Sequence, residues 1–217
     1  MFYWRRTQAK VTTGMKTLES HISEALKIGK NISSFSTYSC QPKTKEELMS
    51  IIVKRIKNEG PKCDLNDIDT SLINDMSYLF YKSNFNGDIS KWNVGNVKKM
   101  VGMFLLSKFN QDISNWDVSN VTNMSDMFNK SKFNNDISRW DVSNVEDMWA
   151  MFYMSKFNQD ISRWNVSNVK SMVSMFSNTK FNQDISNWKI NKDCATSGIF
   201  LNCPIKEEFK PKVLQQK

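Results

Sequence analysis

The chain has 217 residues, 40% of them hydrophobic and 12% aromatic, with a formal charge of +8. It affords a sizeable core, and no apolar run approaches the roughly 20 residues that span a bilayer. The basic surplus lies at the ends, net +7 over residues 1–62 and +3 over 189–217, against −3 over 63–84 and +1 over 85–188. A nucleic-acid binder carries a basic stripe on its working face, so this distribution argues against nucleic acid as the ligand of the near-neutral centre.

Residues 1–40 read as a basic arm. Leu18, Ile22, Ala25 and Leu26 share one face at helical spacing, and Gly29 follows as a stop. The first residues, MFYWRRTQAK, have two arginines but no apolar stretch behind them, unlike a secretory leader. The stretch NISSFSTYSCQP is polar and turn-rich, a linker by composition. Residues 41–62 predict a capping helix. Thr44 and Glu47 form a capping box, Leu48, Ile51, Ile52 and Ile56 an apolar stripe, and Gly60-Pro61 a stop.

From there the chain repeats itself. FNGDISKWNV, FNQDISNWDV, FNNDISRWDV, FNQDISRWNV and FNQDISNWKI begin at Phe85, Phe109, Phe133, Phe157 and Phe181, always 24 residues apart. A fixed period of this length predicts a solenoid. Ile68, Ile73, Met76, Leu79 and Phe80 anticipate the pattern, and Ile199, Phe200 and Ile205 continue it. The array therefore spans 63–205, with degenerate first and last repeats, and 206–217 reads as a polar tail. The helix at 41–62 covers the apolar face that the first repeat would otherwise expose.

In the copy starting at Phe109, Ile113-x-x-Trp116-x-Val118-x-x-Val121 follows the L-x-x-L-x-L frame of a leucine-rich repeat. Trp116 and Val118 alternate about Asp117, as in a short strand. Val121, Met124, Met127 and Phe128 then take helical spacing. The expected fold is an α/β repeat solenoid, a right-handed coil with one short strand and one short helix per 24 residues and a helical cap at its N-terminal end. Stacking buries Trp92, Trp116, Trp140, Trp164 and Trp188 as one column.

Two polar columns recur, Asp88, Asp112, Asp136, Asp160 and Asp184, and Asn86, Asn110, Asn134, Asn158 and Asn182. Stacked carboxylates invite a calcium reading. The calcium-binding solenoid pattern is glycine-rich and this one is not, so turn-fixing bonds to nearby amides are the favoured role and no metal is expected. Lys108, Lys132, Lys156 and Lys180 are placed to ease repulsion along the Asp column. Asn96, Asn120, Asn144 and Asn168 follow the strand as a carbonyl-satisfying ladder. The repeats differ beside the strand, at Lys91, Asn115, Arg139, Arg163 and Asn187 and at Asn93, Asp117, Asp141, Asn165 and Lys189. This is the expected concave, partner-facing row. Trp149 and Tyr153, four apart on the expected helix, are either an aromatic hot spot or lateral packing.

Cys40, Cys63, Cys194 and Cys203 lie outside the clear repeats and no pair has metal-site spacing, so they read as buried thiols; a Cys194–Cys203 bridge stays open for an oxidising compartment. With one histidine, no nucleophile–base pair and no glycine-rich phosphate loop, no catalytic residues, cofactor or enzymatic activity are expected.

The motif F-N-x-D-I-S-x-W-x-V-S-N-V-x-x-M-x-x-M-F resembles that of the BspA-like leucine-rich-repeat surface proteins, over roughly Asp64 to Ile205. The resemblance implies a non-enzymatic adhesion-type protein at the cell surface, although this chain shows no signal peptide, lipidation cysteine or anchor. The expected function is a binding module whose row of Lys91, Asn115, Arg139, Arg163, Asp117 and Asp141 docks a protein or glycan. The alternative is a structural protein, phage- or particle-associated, that assembles through its basic arm; a weaker reading has that arm touching nucleic acid.

Overall fold

The computed structural model describes residues 38–215. The helix expected around Leu18–Leu26, with nearly all of the basic arm, lies outside the described residues.

Helix α1 runs from Lys45–Glu59. The Thr44 hydroxyl accepts the Glu47 N–H at 3.2 Å, and the Glu47 carboxylate accepts the Lys43 N–H at 2.7 Å, one residue before the N-cap. At the other end Gly60 turns the chain at φ +90°, where a side chain would be strained. Leu48 and Ile52 are buried, and Ile51 and Ile56 pack against the same core. Both ends of α1 are tied to the degenerate first repeat: Lys45 pairs with Asp75 at 3.3 Å, and Arg55 with Asp67 at 3.0 Å and the Asp64 carbonyl at 2.9 Å. Ser39, Cys40 and Gln41, expected in the arm and linker, also join this end. The Ser39 N–H bonds the Asp67 carbonyl at 2.7 Å, and the Asp69 N–H bonds the Cys40 carbonyl at 2.8 Å.

Beyond α1 the chain is a repeat array with one continuous apolar cluster from Leu48 to Ile205. Side chains 24 apart stack. Phe80, Phe104, Phe128, Phe152, Phe176 and Phe200 form a column with ring centroids 5.4 to 5.8 Å apart. Phe85, Phe109, Phe133, Phe157 and Phe181 form a second at 6.2 to 6.4 Å. The two columns touch within each repeat, as at Phe128 and Phe133, 4.2 Å apart. Near-parallel, offset rings of this kind add to area burial. The five tryptophans are buried, and each indole N–H donates to a carbonyl 27 residues earlier, Trp116 to Ile89 and Trp140 to Ile113 at 3.1 Å. The column thus supplies apolar area and satisfies a buried main-chain acceptor in each preceding repeat.

The expected strand and helix per repeat are not what the backbone forms. Trp116 and Val118 do point inward and Asp117 outward, but that segment forms no strand. Apart from one joining Cys40 to Ile68, the parallel β-bridges among the described residues, all isolated, instead join Asp75, Lys99, Asn123, Asp147, Ser171 and Ala195, each to the next. The Val121–Phe128 segment carries the bridge at Asn123 and then turns from Ser125 onward, with no helix. Amide groups alternate along it. The Met103 N–H closes a turn on the Met100 carbonyl, whereas Met100, Gly102, Phe104 and Leu106 donate to Asn123, Ser125, Met127 and Asn129 at 2.9 Å. The ribbon needs positive φ twice per repeat, at Gly102 and Leu106, Asp126 and Lys130, Ala150 and Met154, Ser174 and Asn178, and Gly198 and Asn202. A helix would have satisfied these amides locally; here every second one is satisfied by the next repeat.

Residues 206–215, expected as a polar tail, close the far end instead. They form two 3₁₀ turns, Glu207–Phe209 and Lys212–Leu214. The Ile185 N–H bonds the Phe209 carbonyl at 3.0 Å, and Phe209 and Leu214 pack on the core. All four cysteines are free thiols, so Cys194 and Cys203 are not bridged.

Candidate functional site

The recurring polar residues have defined structural uses. Each Asp of the column at 88, 112, 136, 160 and 184 accepts the N–H of the serine two residues on, at 2.8 to 2.9 Å. These are Asx turns. The Ser138 amide and hydroxyl hold the Asp136 carboxyl below its ordinary value, and Ser186 does the same for Asp184. Burial pushes Asp88 up, but Ser90, Asn66 and Lys91 together bring it below the ordinary value. Lys108, Lys132, Lys156 and Lys180 are exposed and form no ion pair among the described residues. The nearer cations are Lys91 and Arg139, three residues after Asp88 and Asp136. Among the described residues no three His, Cys, Asp or Glu side chains converge as a metal site.

The asparagines join neighbouring repeats. Asn110, Asn134 and Asn158 accept the N–H of the residue 24 further on at 2.8 to 2.9 Å. Asn96, Asn120, Asn144 and Asn168 donate to carbonyls 25 residues earlier at 2.7 to 2.8 Å.

Every member of the expected row is exposed: Lys91, Asn115, Arg139, Arg163 and Asn187, and Asn93, Asp117, Asp141, Asn165 and Lys189. They are not equivalent. Asp117 accepts the Ser119 N–H at 3.1 Å and Asp141 the Ser143 N–H at 3.0 Å, so one oxygen of each is committed to a turn. Ser143 holds the Asp141 carboxyl below its usual range. Asn187 donates to the Ser162 carbonyl at 3.0 Å. Arg139 and Arg163 make no hydrogen bond or ion pair among the described residues, so their guanidinium donors face outward unspent.

Trp149 is 45% exposed, and Tyr153 is half-buried beneath the Lys130 ammonium, 5.8 Å from the ring centroid. The two sit on the turn ribbon, not on a helix. Two shallow grooves mark the surface. One, of about 390 Å³, lies along the Asp column between Asp160, Gln183, Asp184 and Asn187. The other, of about 370 Å³, lies along the bridge ladder and includes Lys99, Asn123, Glu146, Asp147 and Lys170. Reading the sequence missed this second groove. Its signal was present, because positions 98, 99 and their counterparts change type from repeat to repeat.

Near-identical stacked repeats with constant apolar core columns and a helix anchored over one end define a repeat protein. The chain belongs to the family described as Mycoplasma protein of unknown function, DUF285, which matches residues 47–156 and 108–211. No curated protein and no solved structure matches it.

Proposed function

We propose that the chain is a non-enzymatic binding protein. Its array is a solenoid of the leucine-rich-repeat kind, and the row containing Lys91, Arg139 and Arg163 docks a partner protein. The observation that carries this is the division of labour within each repeat. Phe, Trp, Ile, Val and Met columns fill the core, and Asn and Asp columns satisfy the backbone. What differs beside Trp92, Trp116, Trp140 and Trp164 is Lys91, Asn115, Arg139 and Arg163, all exposed. A guanidinium fork with no internal partner suits bidentate recognition of a carboxylate. The resemblance to BspA-like surface proteins supports an adhesion-type role.

The test is capture of a host protein by the full chain and by Arg139→Glu/Arg163→Glu. The reading expects capture lost with the thermal melt unchanged. Undiminished capture by the double variant rejects the row as the docking surface.

A further inference from the structure

The core columns between Phe109 and Phe181 repeat one residue type, but the two columns on the bridge ladder do not. One reads Lys98, Thr122, Glu146, Lys170 and the other Lys99, Asn123, Asp147, Ser171. These side chains stand where neighbouring repeats are joined main chain to main chain. Parallel bridges link Lys99 to Asn123, Asn123 to Asp147 and Asp147 to Ser171. Thr122, Glu146 and Lys170 donate to Lys98, Thr122 and Glu146 at 2.9, 2.8 and 2.7 Å. Chemical variety on a rigid frame is what a recognition site needs, because positions held by the scaffold lose little entropy on binding.

The chemistry of the 370 Å³ groove narrows the ligand. Its cations, Lys99 and Lys170, are balanced by Glu146 and Asp147, and Lys170 is already paired with Glu146 at 2.8 Å. A balanced lining favours neither a polyanion nor a polycation. Donors and acceptors alternate along it, with Asn123 3.3 Å from the Asp147 carboxylate. Two residues on from Asp147 of the lining is Trp149, whose N–H is held by the Asp147 carboxylate at 2.9 Å and whose side chain is 45% exposed, unlike the five tryptophans of the buried column. A ligand that is neutral, dense in hydroxyls and apolar on one face meets all three conditions. The volume is at the low end of ligand sites, about 300–1,000 Å³.

We propose that this groove binds a neutral oligosaccharide. Trp149 is the stacking platform for the C–H face of a sugar ring, and Asn123, Asp147 and Lys99 exchange hydrogen bonds with its hydroxyls. The proposal shares with the function above the premise that the array is a binding module, and it assigns another ligand to another stretch of the repeat.

The experiment applies the full chain to an array of immobilised neutral oligosaccharides built from glucose, galactose, mannose or N-acetylglucosamine. Retention on at least one is expected. Trp149→Ala and Asp147→Asn should each weaken it at least tenfold; the second keeps an acceptor for the Trp149 N–H, and melts should match the wild type. Arg139→Glu/Arg163→Glu should leave retention unchanged. No retention on any glycan, or wild-type retention by Trp149→Ala, overturns the proposal. So does retention that falls with the arginine pair. Loss of protein capture by the arginine pair, with no glycan bound, would remove the groove reading and leave the docking row standing.

Discussion

Gly87 gives the sharpest test of how the array is closed at its N-terminal end. The matching position holds Gln111, Asn135, Gln159 and Gln183 in the following repeats, so Gly87→Gln is the change that repeat consensus recommends. In later repeats that side chain reaches back: Gln159 donates to the Asn134 carbonyl at 3.0 Å and Gln183 to Asn158 at 3.2 Å. Gly87 has the segment entering from α1 where the others have a preceding repeat. The Asn86 N–H bonds the Pro61 carbonyl at 2.7 Å, and a Cβ on residue 87 would lie 1.9 Å from the Cys63 carbonyl oxygen and 2.8 Å from the Phe85 ring. The obstacle is main chain, which cannot rotate aside. Overpacking costs about 1–3 kcal/mol, and a backbone clash belongs at the upper end of that range. With a urea slope of about 1–3 kcal/mol/M, the midpoint falls by about 1 M or more. Repeat proteins melt in sections, so the loss should concentrate in α1 and the first repeat, as faster amide exchange over residues 45–83. Gly95→Ser is the control. Serine stands at 119, 143 and 167, and a Cβ at 95 meets only the Asn93 and Asp117 side-chain oxygens at 3.4 Å. It should change stability by less than about 0.5 kcal/mol. A Gly87→Gln protein with an unshifted midpoint, or a Gly95→Ser protein that loses as much, would refute this account.

Two further outcomes follow from the turn ribbon and the carboxylates. Gly102→Ala and Gly198→Ala both place a side chain at positive φ, +55° and +64°, which costs about 1–2 kcal/mol; Gly102→Ala should cost more, because its Cβ would come 2.4 Å from the Tyr78 ring while that of residue 198 meets nothing closer than 3.6 Å. The difference, read from denaturation midpoints, should vanish in a Tyr78→Ala background. At Asp67 burial raises the carboxyl, but Ser39 and Arg55 bring it below 3.8, and at Asp75 Ser77 and Lys45 do the same. Folded values below the unfolded ones mean stability that is complete above about pH 3.8 and is lost as pH falls through the folded values. Acid titration followed by circular dichroism should therefore show helix signal from α1 falling as pH drops through these folded values, and Asp67→Asn should flatten that loss. Asp126 has the opposite sign, because burial raises its carboxyl against the pull of Asn129. Asp126→Asn should raise the Tm at pH 7, with the gain fading as pH falls through the raised value.

The period of 24 was enough to name the inside of the molecule. Equivalent apolar residues stack, so the apolar columns stay buried from repeat to repeat, and Phe109, Ile113, Trp116, Val118, Val121, Met124, Met127 and Phe128 are all buried. The Thr44–Glu47 cap and the Gly60 stop were equally legible, because α1 satisfies its own amides within a few residues. The exposure of Lys91, Arg139 and Arg163 followed from the same alternation.

What a repeat does with its backbone was decided by its neighbours. The 3, 3, 4 spacing from Val121 to Phe128 suits a helix, but it also suits successive turns whose free amides bond a chain 23 residues further on. Local spacing cannot choose between them, since the deciding acceptors belong to another repeat. One trace was readable, a scatter of Gly102, Asp126, Asn178, Gly198 and Asn202 at the two positive-φ columns. The bridge-ladder groove and the clash awaiting any side chain at Gly87 arise only when separate repeats, or α1 and the first repeat, are brought together. Sequence periodicity fixed which side chains share a column; the stacking itself decided which main-chain groups pair, and so where the surface is rigid and hollow.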